Sequence, residues 1–563
     1  MQEREFKAWL SCARDDYNSC KNLLETSKND PQNEPYKSKY KAKDTFMNLL
    51  SQMNQWKSSD NLFIIAIRAL FKYYIGVIDL ETEELTSACD SLTSCWEELQ
   101  DVSGKPEICT LAVSVLNQLS ILWSSRGELN KALNYLEKAE ELYNFYKASN
   151  ENGPYTFEDL FETEDTLIRD WMSFEKLFTY TLWYLAQVCE RMNENERSAK
   201  YCHETLKRQL KTKNFEHKEW AVNCATLSQY YIQEKNYALA RHLLSSSTYI
   251  LEIFEATQVE AVRDEDSQDD LKRSKAEVGW CWLKYCINLL TDSAEKDFPR
   301  ENTSVEPHLR LSDEKKVLDM ETEILCSVSN FAEARKVFLF GQNCVTEVKS
   351  YYTLDTYANN HVQAVQDYSK LYKALALHER DTGRLSKMNK RCIDMLEFVL
   401  SKMNPQYYLA VCRQLRFELG ETFYEMVDLK LKTANSNPQG LSVAVIQKIN
   451  SYIMHSIKHF SGFLDSLRES SGDLPETFSE DLARPALVAH FYCGRLHSKL
   501  IVQDTTEKLK NISKCEENYK FIVNYVEKNP EHAHFMTKEL PVIKEMLELL
   551  PEKILQIHGS TIY

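Results

Sequence analysis

Apolar residues recur every three or four positions over most of the chain, and short polar segments interrupt them. This is the period of a helix with one buried face, so the pattern predicts a succession of amphipathic helices. The most apolar run covers residues 62–80, but Arg68 and Lys72 lie inside it. Because charges are costly inside a bilayer, this run is predicted to be a buried helix and not a membrane span. Further amphipathic helices are predicted over residues 455–467, 485–500 and 515–526.

Four segments share a spacing typical of tetratricopeptide (TPR) repeats, in which two antiparallel helices form one unit. In such a unit, position 7 is apolar, positions 11 and 24 are large, and position 15 is Gly or polar. Positions 8, 20 and 27 are small, because the paired helices touch there. In the order 7, 8, 11, 15, 20, 24 and 27, the segments are Ile75, Gly76, Asp79, Glu83, Ala88, Leu92, Cys95; Leu119, Ser120, Trp123, Gly127, Ala132, Leu136, Ala139; Leu185, Ala186, Cys189, Asn193, Ser198, Cys202, Thr205; and Leu227, Ser228, Tyr231, Lys235, Ala240, Leu244, Ser247. We predict an all-α solenoid of TPR-like antiparallel helix pairs; the alternative is an irregular bundle whose small residues fall in phase by chance.

The four units are 44, 66 and 42 residues apart, which predicts insertions between the hairpins. The longest insertion surrounds residues 150–169 and is acidic, with Glu158, Glu162 and Asp165 among its carboxylates. A second acidic loop covers residues 255–270. Such loops are usually solvated, but their position at the rim of a concave face leaves open a role in contacting a partner.

A polar stretch over residues 291–316 contains Pro299 and Pro307 and separates two helical parts. It predicts an N-terminal TPR-like lobe over residues 1–290, a linker segment over residues 291–330 and a C-terminal helical-repeat lobe over residues 331–563. In the second lobe, Leu419, Gly420 and Phe423 mark the first helix of a looser repeat.

Composition supports this interpretation and excludes others. Gly and Pro number only 13 each among 563 residues, which favours long helices with compact connections. The formal net charge of −16 argues against a nucleic-acid binder and against an anionic membrane surface, but it permits a basic protein partner. The N-terminus lacks a signal-peptide pattern, so the 16 cysteines are predicted to be reduced cytoplasmic thiols. No heptad run is sustained, which favours a monomer.

No motif for catalysis, nucleotide binding or metal binding is evident, so we predict a protein that is not an enzyme and has no cofactor. His455 and His459 have a metal-compatible spacing on one helical face, but no third ligand accompanies them. They are therefore interpreted as a surface or packed pair. Cys281 and Cys286 are interpreted as core residues.

The repeat register instead predicts a polar, mostly uncharged concave face. Asn117, Gln187 and Gln229 point into it, and Tyr184 and Thr226 border it. A clamp for chaperone carboxylates would need several cations, and Arg191 is the only one at the groove positions. A neutral groove suits a helix or a folded domain. Trp183 is either an anchor in this groove or a hairpin core residue.

Several strings resemble the kinesin-binding protein family and follow its order along nearly the whole chain. They are EPYKSKY (34–40), YLAQV (184–188), CHETLKRQL (202–210), ATLSQ (225–229), WLKYC (282–286), NPQYYL (404–409), FLDSL (463–467), ARPAL (483–487) and YKFIV (519–523).

The resemblance implies a right-handed α-solenoid in two lobes that binds kinesin motor domains and sterically blocks their attachment to microtubules. It also implies a cytoplasmic, cytoskeleton-associated protein that acts in axonal and mitochondrial transport and in neuronal differentiation. By the matching strings, the motor contacts fall on Tyr184, Gln187, Gln209 and Thr226; Gln209 rests on the resemblance alone. The alternative function is a general TPR-type scaffold for peptides or cargo proteins in organelle transport.

Overall fold

The computed structural model describes residues 2–56, 61–162, 169–213, 215–258, 265–295, 304–435 and 442–559. These residues form helices α1–α20 and short 3-10 turns, and none of them lies in a β-strand. The all-α prediction is confirmed. The described chain groups into two compact units, Met1–Tyr230 with Pro307–Ser312 (unit 1) and Tyr231–Glu306 with Asp313–Tyr563 (unit 2).

Unit 1 holds the first eight helices and most of the ninth. Their bounds are α1 Gln2–Thr26, α2 Lys37–Gln52, α3 Leu62–Glu81, α4 Leu85–Leu99, α5 Cys109–Ser125, α6 Leu129–Ser149, α7 Met172–Arg191, α8 Asn195–Thr212 and α9 His217–Gln233. The apolar run at residues 62–80 is α3, as predicted. Lys72 of α3 pairs with Glu98 of α4 at 2.9 Å, and Arg68 also pairs with Glu98, so both cations of α3 share one carboxylate on the partner helix of the hairpin.

Unit 2 holds the remaining helices. Their bounds are α10 Tyr237–Gln258, α11 Glu265–Ser293, α12 Lys315–Glu323, α13 Phe331–Tyr351, α14 Ala358–Ala376, α15 Thr382–Lys402, α16 Leu409–Asn435, α17 Val443–Asp465, α18 Glu480–Lys499, α19 Thr505–Lys528 and α20 Leu540–Gly559. The three amphipathic helices predicted near the C-terminus lie in α17, α18 and α19. The predicted linker contains α12. The two compact units are defined by contacts and do not show whether the predicted lobes are independent. The lobe boundaries at residues 290 and 330 therefore stay a prediction.

The helices of unit 1 pack in the order expected for stacked hairpins. α3 packs on α4, α5 on α6, and α7 on α8, while α3 and α5, and α5 and α7, also lie side by side. The small repeat positions explain the close approach. Gly76 and Ala88 are buried between α3 and α4, and a Cβ atom on Gly76 would lie 2.7 Å from Cγ of Leu92. Position 8 therefore faces position 24 across the hairpin, as the repeat pattern predicts.

The turn inside each hairpin has a left-handed backbone at position 15. The φ angles there are 64° at Glu83, 80° at Gly127, 61° at Asn193 and 56° at Lys235. A left-handed residue reverses the chain tightly after a helix, and Gly and Asn adopt it most readily. The four turns thus confirm the predicted repeat register.

Consecutive helices also pack together through much of unit 2, with α16 on α17 and α18 on α19 among the closest pairs. The predicted repeat helix at residues 419–423 is part of α16. Ser456 Oγ of α17 donates a hydrogen bond to the carbonyl of Gly420 at 2.7 Å, so the two backbones approach closely there.

All 16 cysteines are free thiols, and Cys12 is the one whose side chain is classed as exposed. Within the described residues, no helix combines the length and apolar character needed to cross a membrane.

Candidate partner-binding face

Helix α7 presents a continuous exposed stripe opposite its buried side. The buried side includes Phe178, whose ring stacks on Tyr143 of α6 with centroids 3.6 Å apart. The exposed stripe consists of residues spaced three or four apart: Lys176, Tyr180, Trp183, Gln187 and Glu190. Because that spacing places side chains on one helical face, the stripe forms a single surface. Its centre is uncharged, and its two ends carry one cation and one anion.

Two large aromatic side chains in this stripe are open to solvent. Tyr180 is 50% exposed and Trp183 is 40% exposed. Trp183 is therefore a surface residue and not part of the hairpin core, which was the other possibility that the sequence left open. The rings of Trp183 and Tyr184 lie 5.0 Å apart in an edge-to-face arrangement. Exposed aromatics of this kind provide large contact area at low entropic cost.

Tyr184 lies at the border of the stripe and is half-buried. Burial raises the pKa of its phenol above the ordinary value. Burial also raises the pKa of Tyr73 in α3, and the nearby Tyr184 adds to that shift. Tyr184 of α7 therefore lies near Tyr73 of α3, and its hydroxyl stays neutral at physiological pH. It can donate or accept a hydrogen bond.

The other predicted residues lie on α7, α8 and α9, apart from Asn117, which lies on α5. Gln187 is exposed one turn from Trp183, Gln209 is half-buried in the last turns of α8, and Thr226 is exposed on α9. The Thr226 hydroxyl donates a hydrogen bond to the carbonyl of Val222 at 2.9 Å. Gln229, one turn further along α9, donates from Nε2 to Ser228 Oγ at 3.0 Å. The structure thus brings Tyr184 and Gln187 together on α7, and Thr226 and Gln229 together on α9.

Asn117 differs from the other predicted residues because it is only 4% exposed. It lies in α5, which packs against α3, α4, α6 and α7. Its Oδ1 has no hydrogen-bond partner among the described residues. Repeat phase predicts that this side chain points into the concave face, but neighbouring helices cover it. A partner contact by Asn117 stays a prediction.

The one cation among the predicted groove positions is already engaged. Nη1 of Arg191 donates to the carbonyl of Ser124 at 3.0 Å and to its hydroxyl at 2.5 Å, at the C-terminal end of α5. Carbonyls at a helix C-terminus lack partners within the helix, so a guanidinium there is stabilising. Arg191 links two neighbouring hairpins.

Residues 150–162 of the loop after α6 are not the solvated acidic segment that their composition suggests. Leu160 and Phe161 are 1% and 4% exposed and pack into the core around α1 and α3. Phe161 stacks on Tyr17 of α1 at 4.6 Å, and Phe157 contacts Tyr73 edge-to-face at 5.6 Å. We call residues 150–162 the packed loop. The aromatic residues of the insertion are the sequence signal for this packing.

Two carboxylates of the packed loop are paired with cations inside unit 1. Glu158 binds Lys21 and Glu162 binds Arg14, each at 2.5 Å, and both cations belong to α1. Asp165 and the other residues at 163–168 lie outside the described residues, as do residues 259–264 of the second acidic loop. Glu158 and Glu162 therefore fasten the packed loop to α1.

His459 and Cys286 are buried, Cys281 is half-buried and His455 is exposed. His455 and His459 both stack on Phe423, with centroids 5.2 and 5.6 Å away. Burial raises the pKa of the Cys281 thiol to about 11, and Cys286 is fully buried. Thiols of this kind stay protonated and are poor nucleophiles at neutral pH.

Comparison with known proteins places the chain among relatives of similar length. The family model described as "KIF-1 binding protein C terminal" matches residues 218–557. The chain is 39% identical to the KIF-binding protein of Gallus gallus, covering 95% of each chain. It is 36% identical to the Homo sapiens protein over 86% of this chain and 83% of that one. It is 30% identical to the Drosophila melanogaster protein over 97% of each.

A solved structure agrees with these relationships. A cryo-EM structure of KIFBP matches with a TM-score of 0.61 and 31% identity, covering 93% of this chain and 96% of that chain. This match and the hairpin packing confirm the predicted TPR-like helical solenoid. Sequence, family model and fold agree over most of the chain, and the protein therefore belongs to the KIF-binding protein family.

Proposed function

We propose that this chain binds kinesins, that it does so through their motor domains, and that the bound motor cannot attach to microtubules. The observation that carries the proposal is the nearly full-length relationship to proteins named for binding KIF. The sequence contains no recognised catalytic motif that would favour an enzyme instead. The proposed site of action is the cytoplasm, beside microtubules.

The proposed contact surface is the α7 stripe together with the exposed residues of α9. It offers two exposed aromatics, Tyr180 and Trp183, and the uncharged polar side chains of Gln187 and Thr226. Aromatic anchors surrounded by neutral hydrogen-bonding groups fit a folded, helical partner. A short acidic or carboxylate-terminated peptide would instead need free cations, and Arg191 is occupied at α5.

Charge supports the choice of the motor's microtubule-binding surface as the partner. That surface must be basic to bind acidic tubulin, and this chain carries a net charge of −16. Opposite net charges accelerate encounter, while the polar and aromatic contacts determine specificity. Occupation of that surface by a protein of this size would exclude the microtubule sterically.

The test is microtubule co-sedimentation of a purified transport-kinesin motor domain with and without the full-length chain. We expect the motor to move to the supernatant in a stable complex. If motors of several classes still pellet and no complex forms, the proposal is wrong and a general scaffold becomes the leading function.

Variants then locate the surface. Gln187→Ala with Thr226→Ala is expected to weaken motor binding by roughly tenfold, and Trp183→Ala by more, because buried aromatics dominate interface energies. The matched control is Asn134→Ala with Asn144→Ala, two exposed polar residues of α6. Helical circular dichroism should be unchanged in all three. Equal binding by the site and control variants would remove the α7 stripe from the interface.

A further inference from the structure

Unit 2 contains a cleft of about 600 Å³ that plays no part in the face described above. It lies among α10, α11, α12 and α13. Its volume is within the range of ligand-binding pockets, roughly 300–1,000 Å³. Its floor is apolar, with Leu251, Val278, Trp282 and Cys344 all buried.

The aromatic wall of this cleft is held in place by its own contacts. The rings of Trp282 and Phe340 meet edge-to-face, with centroids 5.1 Å apart and an interplanar angle of 85°. The indole Nε1 of Trp282 donates a hydrogen bond to Thr248 Oγ1 at 3.0 Å. Both interactions fix the indole orientation, so the wall exists before any ligand arrives. A fixed aromatic wall can hold an alkyl chain and can attract a cation.

The rim of the cleft is acidic. Four exposed carboxylates come from three helices, and two lysines accompany them. Lys275 pairs with Glu255 at 2.7 Å, and Glu252 has a long contact of 3.5 Å with Lys316, which lies outside the cleft. Among the described residues, no cation lies within salt-bridge distance of Glu323 or Glu347. Two negative charges at the rim are therefore available to a ligand.

Glu347 is directed toward the α11 wall. Its Oε2 lies 3.6 Å from the place that a Cβ atom on Gly279 would occupy. Burial raises the pKa of the Cys344 thiol on the cleft floor, and the charge of Glu347 adds to that rise. The negative field thus reaches the apolar part of the cleft.

The arrangement indicates what kind of cation fits. The carboxylates stand on separate helices, and no group of three or more potential ligands converges closely enough for a metal ion in the described part of the chain. Separated charges around an apolar floor match an extended ligand with several cationic groups and apolar residues between them. Lysine and arginine side chains have this dual character, because their stems are apolar and their ends are charged.

We propose that this cleft is a second binding site, which takes a basic segment of a partner polypeptide. The apolar stem of a lysine or arginine packs on Trp282 and Phe340, and its charged end pairs with Glu323 or Glu347. The site is separate from the α7 stripe and does not depend on the proposed motor contact.

The test is fluorescence anisotropy of full-length protein with a fluorescein-labelled peptide of three Lys-Leu-Gly repeats. We expect saturable binding that Glu323→Gln with Glu347→Gln weakens by at least about tenfold. The matched control is Glu545→Gln with Glu548→Gln, two exposed carboxylates of α20 that remove the same net charge. It should bind like the parent. A peptide of Gln-Leu-Gly repeats should not bind.

Three results would overturn the proposal. They are an absence of saturable binding, equal weakening by the rim and control variants, and displacement of the peptide by spermine at equal charge concentration. The second would mean attraction by net charge alone, and the third a site for free polyamines. Phe340→Leu provides an independent check, because it leaves the charge unchanged and should still weaken binding. Microtubule co-sedimentation should be unaffected by all of these variants, which separates this site from the motor-binding face.

Discussion

At the scale of single residues, two of the hairpin turns contain a strained backbone conformation. Glu83 and Lys235 occupy left-handed backbone positions at φ values of 64° and 56°, where Gly127 stands in the second repeat. A side chain with a Cβ atom pays roughly 1–2 kcal/mol for this conformation, and glycine does not. Glycine in turn loses about 0.5–1 kcal/mol through its larger freedom in the unfolded chain.

Replacing Glu83 with glycine should therefore stabilise the protein by about 0.5–1 kcal/mol, because the relief of backbone strain exceeds the entropic loss. Glu83 is exposed, so no packing is lost. The measurement is the midpoint of urea unfolding followed by circular dichroism. Gly127→Ala is the reciprocal control and should destabilise by about 1 kcal/mol. A lower midpoint for Glu83→Gly would contradict this account of the turn.

At the scale of elements, the hairpins were predictable because their determinants are local. Gly76, Ala88 and Leu92 lie within one unit, and their spacing alone indicates that position 8 meets position 24. The packed loop was not predictable in the same way. Phe157 and Phe161 contact Tyr73 and Tyr17, which lie far away in sequence, and no periodicity connects these positions.

The same distinction applies to the candidate face. The exposed stripe of α7 follows from helical phase, and Gln187 is one of its exposed residues. Asn117 has the same kind of phase but is covered, because the burial of α5 depends on helices that pack against it from other hairpins. Phase gives the direction of a side chain, whereas exposure depends on tertiary neighbours.

Removing the buried ring of Phe161 tests how strongly the packed loop is fastened. Phe161→Ala should lower the free energy of unfolding by about 3 kcal/mol, the usual cost of deleting a buried phenylalanine ring. Limited proteolysis should then cut within residues 150–162 faster than in the parent. Phe145→Ala is the matched control, since Phe145 is 61% exposed, and it should change stability by less than about 1 kcal/mol. Similar effects of the two changes would show that the loop is only loosely held.

At the scale of the whole molecule, protonation links packing to stability. Burial lowers the pKa of His459, His490 and His497 to about 4 for each, whereas the ordinary value is 6.5. All three belong to unit 2. In the unfolded chain these side chains bind protons below pH 6.5, while in the folded chain they stay neutral until about pH 4.

Stability should therefore fall as the pH drops from 6.5 toward 4, because the unfolded state binds more protons in this window. The expected loss is on the order of 2 kcal/mol for each buried histidine. Urea midpoints measured between pH 7 and 4.5 provide the test.

A histidine variant assigns the effect. His459→Phe keeps an aromatic ring against Phe423 and should make the decline shallower, with little change at pH 7. His455 is exposed and stacks on the same ring of Phe423. Its replacement by Phe should leave the dependence of stability on pH as in the parent. A decline that is equally steep in both variants would show that other groups cause it.

The burial of thiols also has a practical consequence for chemical labelling. Cys12 of α1 is exposed, three cysteines are half-buried and the other twelve are buried, so accessibility separates them before any engineering. A brief treatment with maleimide at neutral pH should modify Cys12 first and leave the core intact. A fluorophore or spin label can thus be attached to α1 of the natural sequence, and distances from it can be followed while partners bind elsewhere on the chain.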